Sequence, residues 1–440
     1  MCKRKTESCF VSKIDKKYPS FIQGKITFCG ILRNNFYQLS NDWSERVQKD
    51  YITKYNNTIL PFLNNKPIAD LTEQDVRLFL HGLEISSGMS DDNKAHHRML
   101  IRIVLEAAER DGFLSFPVWG NDLCTSINTQ AAIIEAAEAG ILPRSITIDA
   151  QLQIFRELTS DYKQRGNRMA LLLMFWCGLR NSEACGICFQ DVYERPDCPG
   201  TYVLVLKNTV SADHTYDPWG KTSNAPRIIP ISKYMYQFIM ARKAYIANLC
   251  ASGEIVLKDG MTVDCLPIAC TRDFVTPCNS KQVTDAGRKL FSQIKYDQTE
   301  YCLADCITRM NSNEEDATSY LFRRNYCTDL LQIDTPQSMK QYLMGHKIED
   351  PSMDPRYFTG ERIFRVMSEI MHRRPLFNLS FDCETDTFHF KPFFFSEQRW
   401  NAIRDFYAGL GLYYFCDAPE AYMRDFEKAV LAFNAAHKQN

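Results

Sequence analysis

The chain has 440 residues, of which 45% are apolar and 24% are charged, and its formal net charge is −1. This length suits two or three domains, and this composition is that of a folded globular protein, which excludes wholesale disorder. The longest apolar run, residues 169–179, has about half of the roughly 20 residues that a membrane span needs. The first ten residues are charged rather than apolar, and the 17 cysteines are irregularly spaced. We therefore expect a cytoplasmic protein with reduced thiols rather than a secreted or membrane protein.

The near-zero net charge hides an uneven distribution along the chain. Residues 1–40 contain eight Lys and Arg against two carboxylates, and residues 41–141 carry the compensating acidic excess. A basic segment can neutralise nucleic-acid phosphates, although a solvated tail has the same composition. We assign residues 1–39 to a basic N-terminal arm and leave both interpretations open.

The next segment, residues 40–115, has the periodicity of a small all-α domain. Apolar residues at every fourth position predict one face of a helix, and they are Trp43, Val47, Tyr51, Tyr55 and Ile59. Thr72 and Asp75 have the spacing of a capping box that opens a second helix. A third helix is predicted from near Ser90 to Gly112.

Beyond a linker at residues 116–141, the pattern changes to helices interrupted by one β-rich stretch. Helices are predicted at 149–158 and 168–177, and the runs 202–206 and 227–231 predict an antiparallel hairpin with a long tip. We therefore expect a mostly α chain with a small β-sheet, of the α+β class.

The second predicted domain spans residues 142–372 and is followed by a C-terminal extension, residues 373–440. The extension contains the aromatic-rich run FHFKPFFF. It is long enough to pack as a small separate unit.

Two positively charged residues of the second domain occupy predicted turns. Arg180 lies in GLRNSE, where an apolar helix ends at Gly178 and another helix begins. Its guanidinium either forms a structural salt bridge with Glu183 or points into a cleft. Lys221 lies at the tip of the predicted hairpin, in GKTSNAPRIIPI, where its ammonium is either solvated or reaches a partner outside the domain.

Two later segments add an Arg, a His and two Tyr. On the predicted helix that contains SYLFRRNY, Tyr320 and Arg323 share one face at i, i+3 spacing. In YLMGHKIEDPSMDPRYF, His346 follows the helix-ending Gly345, and Tyr357 comes later in the same segment. A lone His after a helix is more often a cap than a catalyst, and a lone Tyr usually packs. Each of these residues therefore also has an ordinary structural interpretation.

Cys185 and Cys188 form a C-x-x-C motif, which has to be weighed as a metal or redox site. A zinc site needs further ligands, and no second C-x-x-C is present to complete one. The motif is predicted to lie inside the helix after Arg180, where thiols at i, i+3 spacing commonly pack. We therefore expect no metal and no other cofactor.

Together and in this order, the motifs resemble those of the tyrosine recombinase (phage integrase) family. That family has an Arg in a G-L-R-x-S-E turn, a hairpin Lys, a His-x-x-Arg helix, a G-H turn and a nucleophilic Tyr soon after. The matching residues here are Arg180, Lys221, Arg323, His346 and Tyr357. Tyr320 stands where the family usually has His; a phenol can donate a hydrogen bond to phosphate but is a poor base near neutral pH. The resemblance covers residues 141–360, and the preceding helical segment is similar, less specifically, to the family's core-binding (SAM-like) DNA-binding domain.

The resemblance implies that a DNA phosphodiester is cleaved without a metal. Tyr357 would form a covalent 3′-phosphotyrosyl link, and Arg180 and Arg323 would hold the negative charge that develops on the phosphate. Lys221 would protonate the leaving 5′ oxygen. His346 would bind the phosphate or accept the proton of the nucleophile.

The resemblance also implies partners. Double-stranded DNA would be bound by both domains, and a homotetramer would exchange strands between two duplexes. Accessory DNA-bending or directionality proteins are compatible with this assembly. We therefore expect a site-specific recombinase that integrates or excises a mobile element or prophage. The alternatives are a type IB-like topoisomerase and a non-catalytic DNA-binding protein on the same scaffold, which Tyr320 favours.

Overall fold

The computed structural model describes most of the chain: residues 14–40, 43, 45–86, 89, 91–114, 116–118, 146–160, 166–218, 225–294, 319–333, 335–349, 355–394, 396–399, 401–402, 405 and 419–437. The chain is divided into two compact units, residues 1–142 and 143–440, and each has its own apolar core. The structure is mostly helical with small antiparallel sheets, so the predicted α+β class is confirmed. None of the described helices is both long and apolar enough to cross a membrane.

The described part of the first unit is a small β-ribbon followed by helices. Its elements are β1 (Phe21–Ile22), β2 (Lys25–Ile26), α1 (Phe28–Ser40), α2 (Glu45–Lys54), α3 (Leu60–Leu63), α4 (Glu73–Glu84) and α5 (Asp91–Arg110). The predicted apolar face continues from α2 through a π-helical turn, Tyr55–Ile59, into α3, and both end residues of that turn are buried. The third predicted helix is α5, which ends just before Gly112.

The capping box predicted at the start of α4 is confirmed. Thr72 Oγ1 accepts a hydrogen bond of 3.2 Å from Asp75 N, and Asp75 Oδ2 accepts one of 2.8 Å from Thr72 N. The two bonds satisfy backbone donors that the first turn of a helix otherwise leaves free.

The expected basic arm, residues 1–39, is not an arm in its described part. Phe28 and Leu32 of α1 are fully buried in the core of the first unit. Arg33 donates to Ser20 Oγ at 2.8 Å, so this cation supports the fold. The prediction was wrong because it used only the charges of this segment. The apolar residues between the charges have helical spacing, which predicts a buried helix face. The first thirteen residues of the chain lie outside the described residues.

The second unit contains the remaining elements. They are α6 (Ile148–Ser160), α7 (Gly166–Cys177), α8 (Asn181–Cys185), β3 (Val192–Glu194), β4 (Tyr202–Leu206), β5 (Asn208–Val210), β6 (Tyr216–Pro218), β7 (Arg227–Ile231), α9 (Lys233–Ala251), α10 (Ser280–Phe291), α11 (Tyr320–Gln332), α12 (Gln337–Met344), α13 (Glu361–Met371), β8 (Leu379–Asp382), β9 (Thr387–Phe390) and α14 (Pro419–His437). The two helices predicted before the β-rich stretch are confirmed as α6 and α7. Helix α7 is central, because it packs against α6, α8, α10 and α11.

The two predicted strands pair as expected. Strands β4 and β7 are antiparallel, with Tyr202 opposite Ile231, and β3 pairs with the other edge of β4. Strands β5 and β6 form a separate ribbon. Strands β3, β5 and β6 were not predicted, because three residues are too few to show an alternating pattern. The segment between β6 and β7, which contains Lys221, lies outside the described residues.

The described part of the C-terminal extension packs into the core of the second unit, in contrast to the expected separate unit. Phe388 of β9 and Phe433 of α14 belong to that core, and their ring centroids are 5.2 Å apart. Arg374 is fully buried, and its Nε donates to Asp329 Oδ2 at 2.7 Å. Tyr422 Oη donates to Asp329 Oδ1 at 3.0 Å, which ties α14 to α11. Buried polar partners of this kind cannot be recognised from local patterns.

Candidate active site

The site begins at the turn that joins α7 to α8. Gly178 has a φ of +65°, and a Cβ at this position would lie 2.3 Å from Tyr326 Cδ1, so both the conformation and the space require Gly. Arg323 Nη1 donates to Gly178 O at 2.7 Å, which satisfies a carbonyl just beyond the end of α7. Arg180 follows as the N-cap residue of α8.

Arg180 both forms a structural salt bridge and stays accessible to a ligand, the two interpretations that its sequence position left open. Its Nη1 donates to Glu183 Oε1 at 2.6 Å, and its Nη2 donates to Gly345 O at 3.2 Å. The side chain nevertheless remains 35% exposed. The guanidinium is therefore fixed by the protein and still open to a ligand.

Glu183 is a buried carboxylate shared by two arginines. Arg227 on β7 donates to it from Nη1 at 3.2 Å and from Nη2 at 3.1 Å, and Arg227 Nε donates to Leu343 O at 3.0 Å. Burial by itself would raise the pKa of Glu183, but the charges and hydrogen bonds of Arg227 and Arg180 lower it to about 2. Glu183 is therefore ionised at neutral pH and holds both guanidiniums.

Arg323 lies on α11 and is only 2% exposed. Besides Gly178 O, its guanidinium donates to Met344 O, and its Nη2 lies 3.2 Å from His346 Nε2. Burial, with the charge of Arg180, lowers the pKa of Arg323 to about 10, so it stays charged at neutral pH.

His346 follows Gly345, whose φ of +61° ends α12 in the left-handed conformation. Burial and the charges of Arg323 and Arg180 lower the pKa of His346, so the ring is neutral at neutral pH. A neutral ring that accepts a hydrogen bond at Nε2 carries its proton on Nδ1 and can donate there. We name the following set the arginine cluster: Arg180, Glu183, Arg227, Arg323 and His346.

Tyr320 begins α11, one turn before Arg323, and is 52% exposed. The guanidinium carbon of Arg324 lies 5.7 Å from the centre of its ring. Ser319 Oγ donates to Asn181 Oδ1 at 3.0 Å, which ties the start of α11 to α8. Tyr320 is thus an exposed phenol one turn before Arg323 on α11.

Tyr357 lies in a 3₁₀ turn, Pro355–Thr359, and is 54% exposed. We call this turn the nucleophile segment. The next residue, Phe358, is fully buried and stacks on Tyr342, with ring centroids 4.8 Å apart. Tyr342 lies on α12, which leads directly to His346. Among the described contacts, the stack of Phe358 on Tyr342 links the turn that carries Tyr357 to the helix that precedes His346.

The structure brings three of the predicted site residues together: Arg180, Arg323 and His346. Arg227 was not predicted from the sequence, although a single cation that opens an otherwise apolar strand is unusual enough to signal a buried ion pair. Lys221 lies outside the described residues.

No family model and no curated protein matches the sequence. Among solved structures, the Tn1549 transposon integrase in complex with a circular intermediate DNA is similar, with a TM-score of 0.50, 14% identity, and coverage of 73% of this chain and 92% of that chain. A further Tn1549 integrase complex with circular intermediate DNA gives a TM-score of 0.50, 13% identity and coverage of 78% and 99%. The lambda integrase tetramer bound to a Holliday junction has a TM-score of 0.44 and 18% identity, and the match covers 77% of this chain and 79% of that chain. This chain has the fold of the Tn1549 integrase.

Within this fold, the arginine cluster has the chemistry of an anion site. Its three guanidiniums and one carboxylate leave a net charge of +2 when His346 is neutral. Most of the donors are fixed by bonds to backbone carbonyls and to Glu183, so they need little rearrangement when an anion binds. Arg180 is the arginine most open to a ligand.

The C-x-x-C motif differs from its predicted placement. Cys185 ends α8 and Cys188 lies beyond that helix. Burial raises the pKa of both thiols, which keeps them protonated at neutral pH. In the part of the chain that the structure describes, no group of three or more His, Cys, Asp or Glu side chains is placed to hold a metal ion.

Proposed function

We propose that this protein is a site-specific DNA recombinase that cuts and rejoins DNA through a 3′-phosphotyrosyl intermediate on Tyr357. The observation that carries the proposal is the meeting of Arg180, Arg323 and His346 around two glycine turns. These residues are far apart in the sequence, and their combined positive charge suits a phosphodiester. The fold shared with the Tn1549 integrase, whose solved structure contains a circular intermediate DNA, supports the same function.

In the proposed reaction, Tyr357 Oη loses its proton to water and attacks the phosphorus atom, and the bond from phosphorus to the 5′ oxygen breaks. The negative charge that grows on the non-bridging oxygens is stabilised by Arg180 and Arg323. Because these donors are fixed before the substrate arrives, they act on the transition state without costly reorganisation. The Nδ1–H of the neutral His346 supplies one more donor.

Two further side chains complete the proposed reaction. Lys221 protonates the leaving 5′ oxygen as a general acid, and Tyr320 donates a hydrogen bond to a phosphate oxygen. The energy of the broken phosphodiester is retained in the phosphotyrosyl link, so a 5′ hydroxyl can reverse the step and rejoin the DNA without ATP.

We infer that the partner is double-stranded DNA and that a homotetramer exchanges strands for integration or excision of a mobile element or prophage. Accessory DNA-bending or directionality proteins are compatible with this role.

The test is covalent trapping on a randomly nicked pool of duplexes. At a nick close to the cleavage site, the short 5′ product dissociates and cannot be rejoined, so the adduct accumulates. We expect a denaturant-resistant protein–DNA adduct in the presence of chelator, and its loss in Tyr357→Phe. Sequencing the trapped DNA then gives the cleavage position. A Tyr413→Phe variant is the matched control, and it should trap DNA as the wild type does.

Other outcomes of the trapping experiment would contradict the proposal in different ways. DNA binding without any adduct identifies a non-catalytic binder on this scaffold. An adduct combined with relaxation of any supercoiled plasmid, and no exchange between two DNA molecules, identifies a topoisomerase. An adduct that survives in Tyr357→Phe refutes the assigned nucleophile.

A further inference from the structure

Arg195 contacts the nucleophile segment but has no part in the chemistry proposed above. It lies in the turn between β3 and β4, and its Nη2 donates to Thr359 O at 2.6 Å. Thr359 is two residues beyond Tyr357 and closes the 3₁₀ turn that carries it. The guanidinium carbon of Arg195 also lies 4.7 Å from the ring centre of Phe364, on the helix that follows.

We propose that Arg195 is a positioning residue that holds Tyr357 against the arginine cluster of its own subunit. This inference rests on the proposed function, because it assigns a role relative to the attack by Tyr357. Arg195 would set the place of the nucleophile and leave the stabilisation of the phosphate charge to Arg180 and Arg323.

The three-stranded sheet β3-β4-β7 supports the nucleophile segment at two points. At one edge, Arg195 N donates to Thr201 O at 2.9 Å, so Arg195 extends the ladder of β3 and β4 by one residue. At the other edge, Tyr342 Oη donates to Ile228 O of β7 at 3.1 Å, and Phe358 stacks on this same Tyr342. The sheet thus fixes both the Arg195 contact and the Phe358 contact.

The bonds inside the nucleophile segment cannot place it by themselves. Thr359 Oγ1 donates to Arg356 O at 2.7 Å, and Gly360 N donates to Tyr357 O at 3.2 Å. These bonds are local and define the shape of the turn. Its location relative to the cluster depends on contacts with other elements, and Arg195 supplies a charged donor to its C-terminal end.

The surroundings of Arg195 are not those of an ordinary surface ion pair. Its side chain is 13% exposed, whereas its carboxylate partner Asp197 is 48% exposed. Its Nη1 is buried without a hydrogen-bond partner in the described structure. A buried donor without a partner costs free energy. The arginine is therefore poorly explained by stability alone and better explained by the carbonyl and the ring that it reaches.

The experiment compares the full-length wild type with Arg195→Met, Arg195→Lys and the surface control Arg424→Met. On the duplex selected by trapping, we expect Arg195→Met to slow single-turnover adduct formation by about 10- to 100-fold, the range typical of a misplaced reacting group. Duplex affinity and the thermal midpoint should stay close to those of Arg424→Met. Arg195→Lys, which keeps one donor for Thr359 O, should recover much of the rate.

A second readout separates positioning from a general effect on the site. In a Tyr357→Phe background, hydrogen peroxide replaces the phenol as nucleophile: the peroxide anion forms a bond to phosphorus and the 5′ oxygen leaves with a proton. Adding Arg195→Met or Arg195→Lys to this background should leave the rate of peroxide cleavage unchanged.

Two results for Arg195→Met would overturn the proposal. One is an equal loss of rate in the tyrosine and peroxide reactions, and the other is an unchanged rate of the tyrosine reaction. Should Arg195→Met fail to fold, Arg195→Gln, which removes the charge and shortens the side chain, decides by the same two rates. Absence of any adduct in the wild type is a different result and refutes the proposed function instead.

Discussion

The arginine cluster and the nucleophile segment lie on neighbouring elements but are built differently. Arg227 and Glu183 are almost completely buried and joined by two hydrogen bonds, whereas Tyr357 is more than half exposed on a short turn. The charges are therefore placed by the core, and the nucleophile is placed by a few contacts from a neighbouring sheet and helix. We therefore expect substitutions of the buried members of the arginine cluster to alter both stability and chemistry. Substitutions around the turn should alter mainly chemistry.

The largest effect on rate is expected for Arg180, the exposed member of the cluster. Arg180→Ala should reduce single-turnover adduct formation by about 10²- to 10³-fold, because it removes one preorganised donor to the developing charge. Its effect on unfolding should be small, since the side chain is one-third exposed. Arg424→Ala, which breaks an exposed pair with Glu420, controls for the loss of an arginine. Retention of more than a tenth of the wild-type rate would remove Arg180 from the mechanism.

Glu183→Gln should produce the largest loss of stability. Removing the carboxylate leaves Arg227 buried without its counter-charge, and breaking a buried pair in this way costs about 3–5 kcal/mol of unfolding free energy. Chemical denaturation measures this loss, and Glu420→Gln is the exposed control. A loss below about 1 kcal/mol would show that Arg227 finds another partner.

The same carboxyl predicts a dependence of stability on pH. The pKa of Glu183 is about 2 in the folded chain and 4.5 as its ordinary value, so the folded state binds fewer protons than the unfolded state between these values. The stabilisation is complete above about pH 5 and is lost as the pH falls towards 2. The stability of Glu183→Gln should therefore fall less steeply than that of the wild type across this range. Parallel curves would contradict the low pKa.

Phe358→Leu tests the second contact of the nucleophile segment. Leucine keeps the site apolar but removes the stack on Tyr342, which is worth about 1 kcal/mol beyond burial. We expect a loss of unfolding free energy of that size, an adduct rate lowered by about tenfold and unchanged duplex affinity. Phe394→Leu, at an exposed phenylalanine, is the control. A rate equal to that of the wild type would mean that the stack does not help to place Tyr357.

The sequence predicted those features that are encoded locally. The glycine turns beside Arg180 and His346, the capping box at Thr72 and the strands β4 and β7 all follow from short-range spacing. The pairing of Arg227 with Glu183 does not, because it joins residues 44 positions apart and depends on the tertiary structure that brings β7 and α8 within reach of each other. The burial of Phe28 was overlooked because the surrounding charges dominated the interpretation of that segment.

The smallest expected effect concerns the basic N-terminus and tests the nucleic-acid interpretation of its charge. A deletion that extends past Phe28 would remove core residues of the first unit, so a shorter deletion, residues 1–12, is the appropriate variant. If Lys3, Arg4 and Lys5 neutralise phosphates, the slope of log K against log salt should become less steep by about 0.9 for each lost contact. Replacing the three cations by Gln at full chain length should reproduce this change, which separates charge from chain length. An unchanged slope in both variants would assign these cations to a solvated tail, while the cleavage chemistry of the second unit would be unaffected.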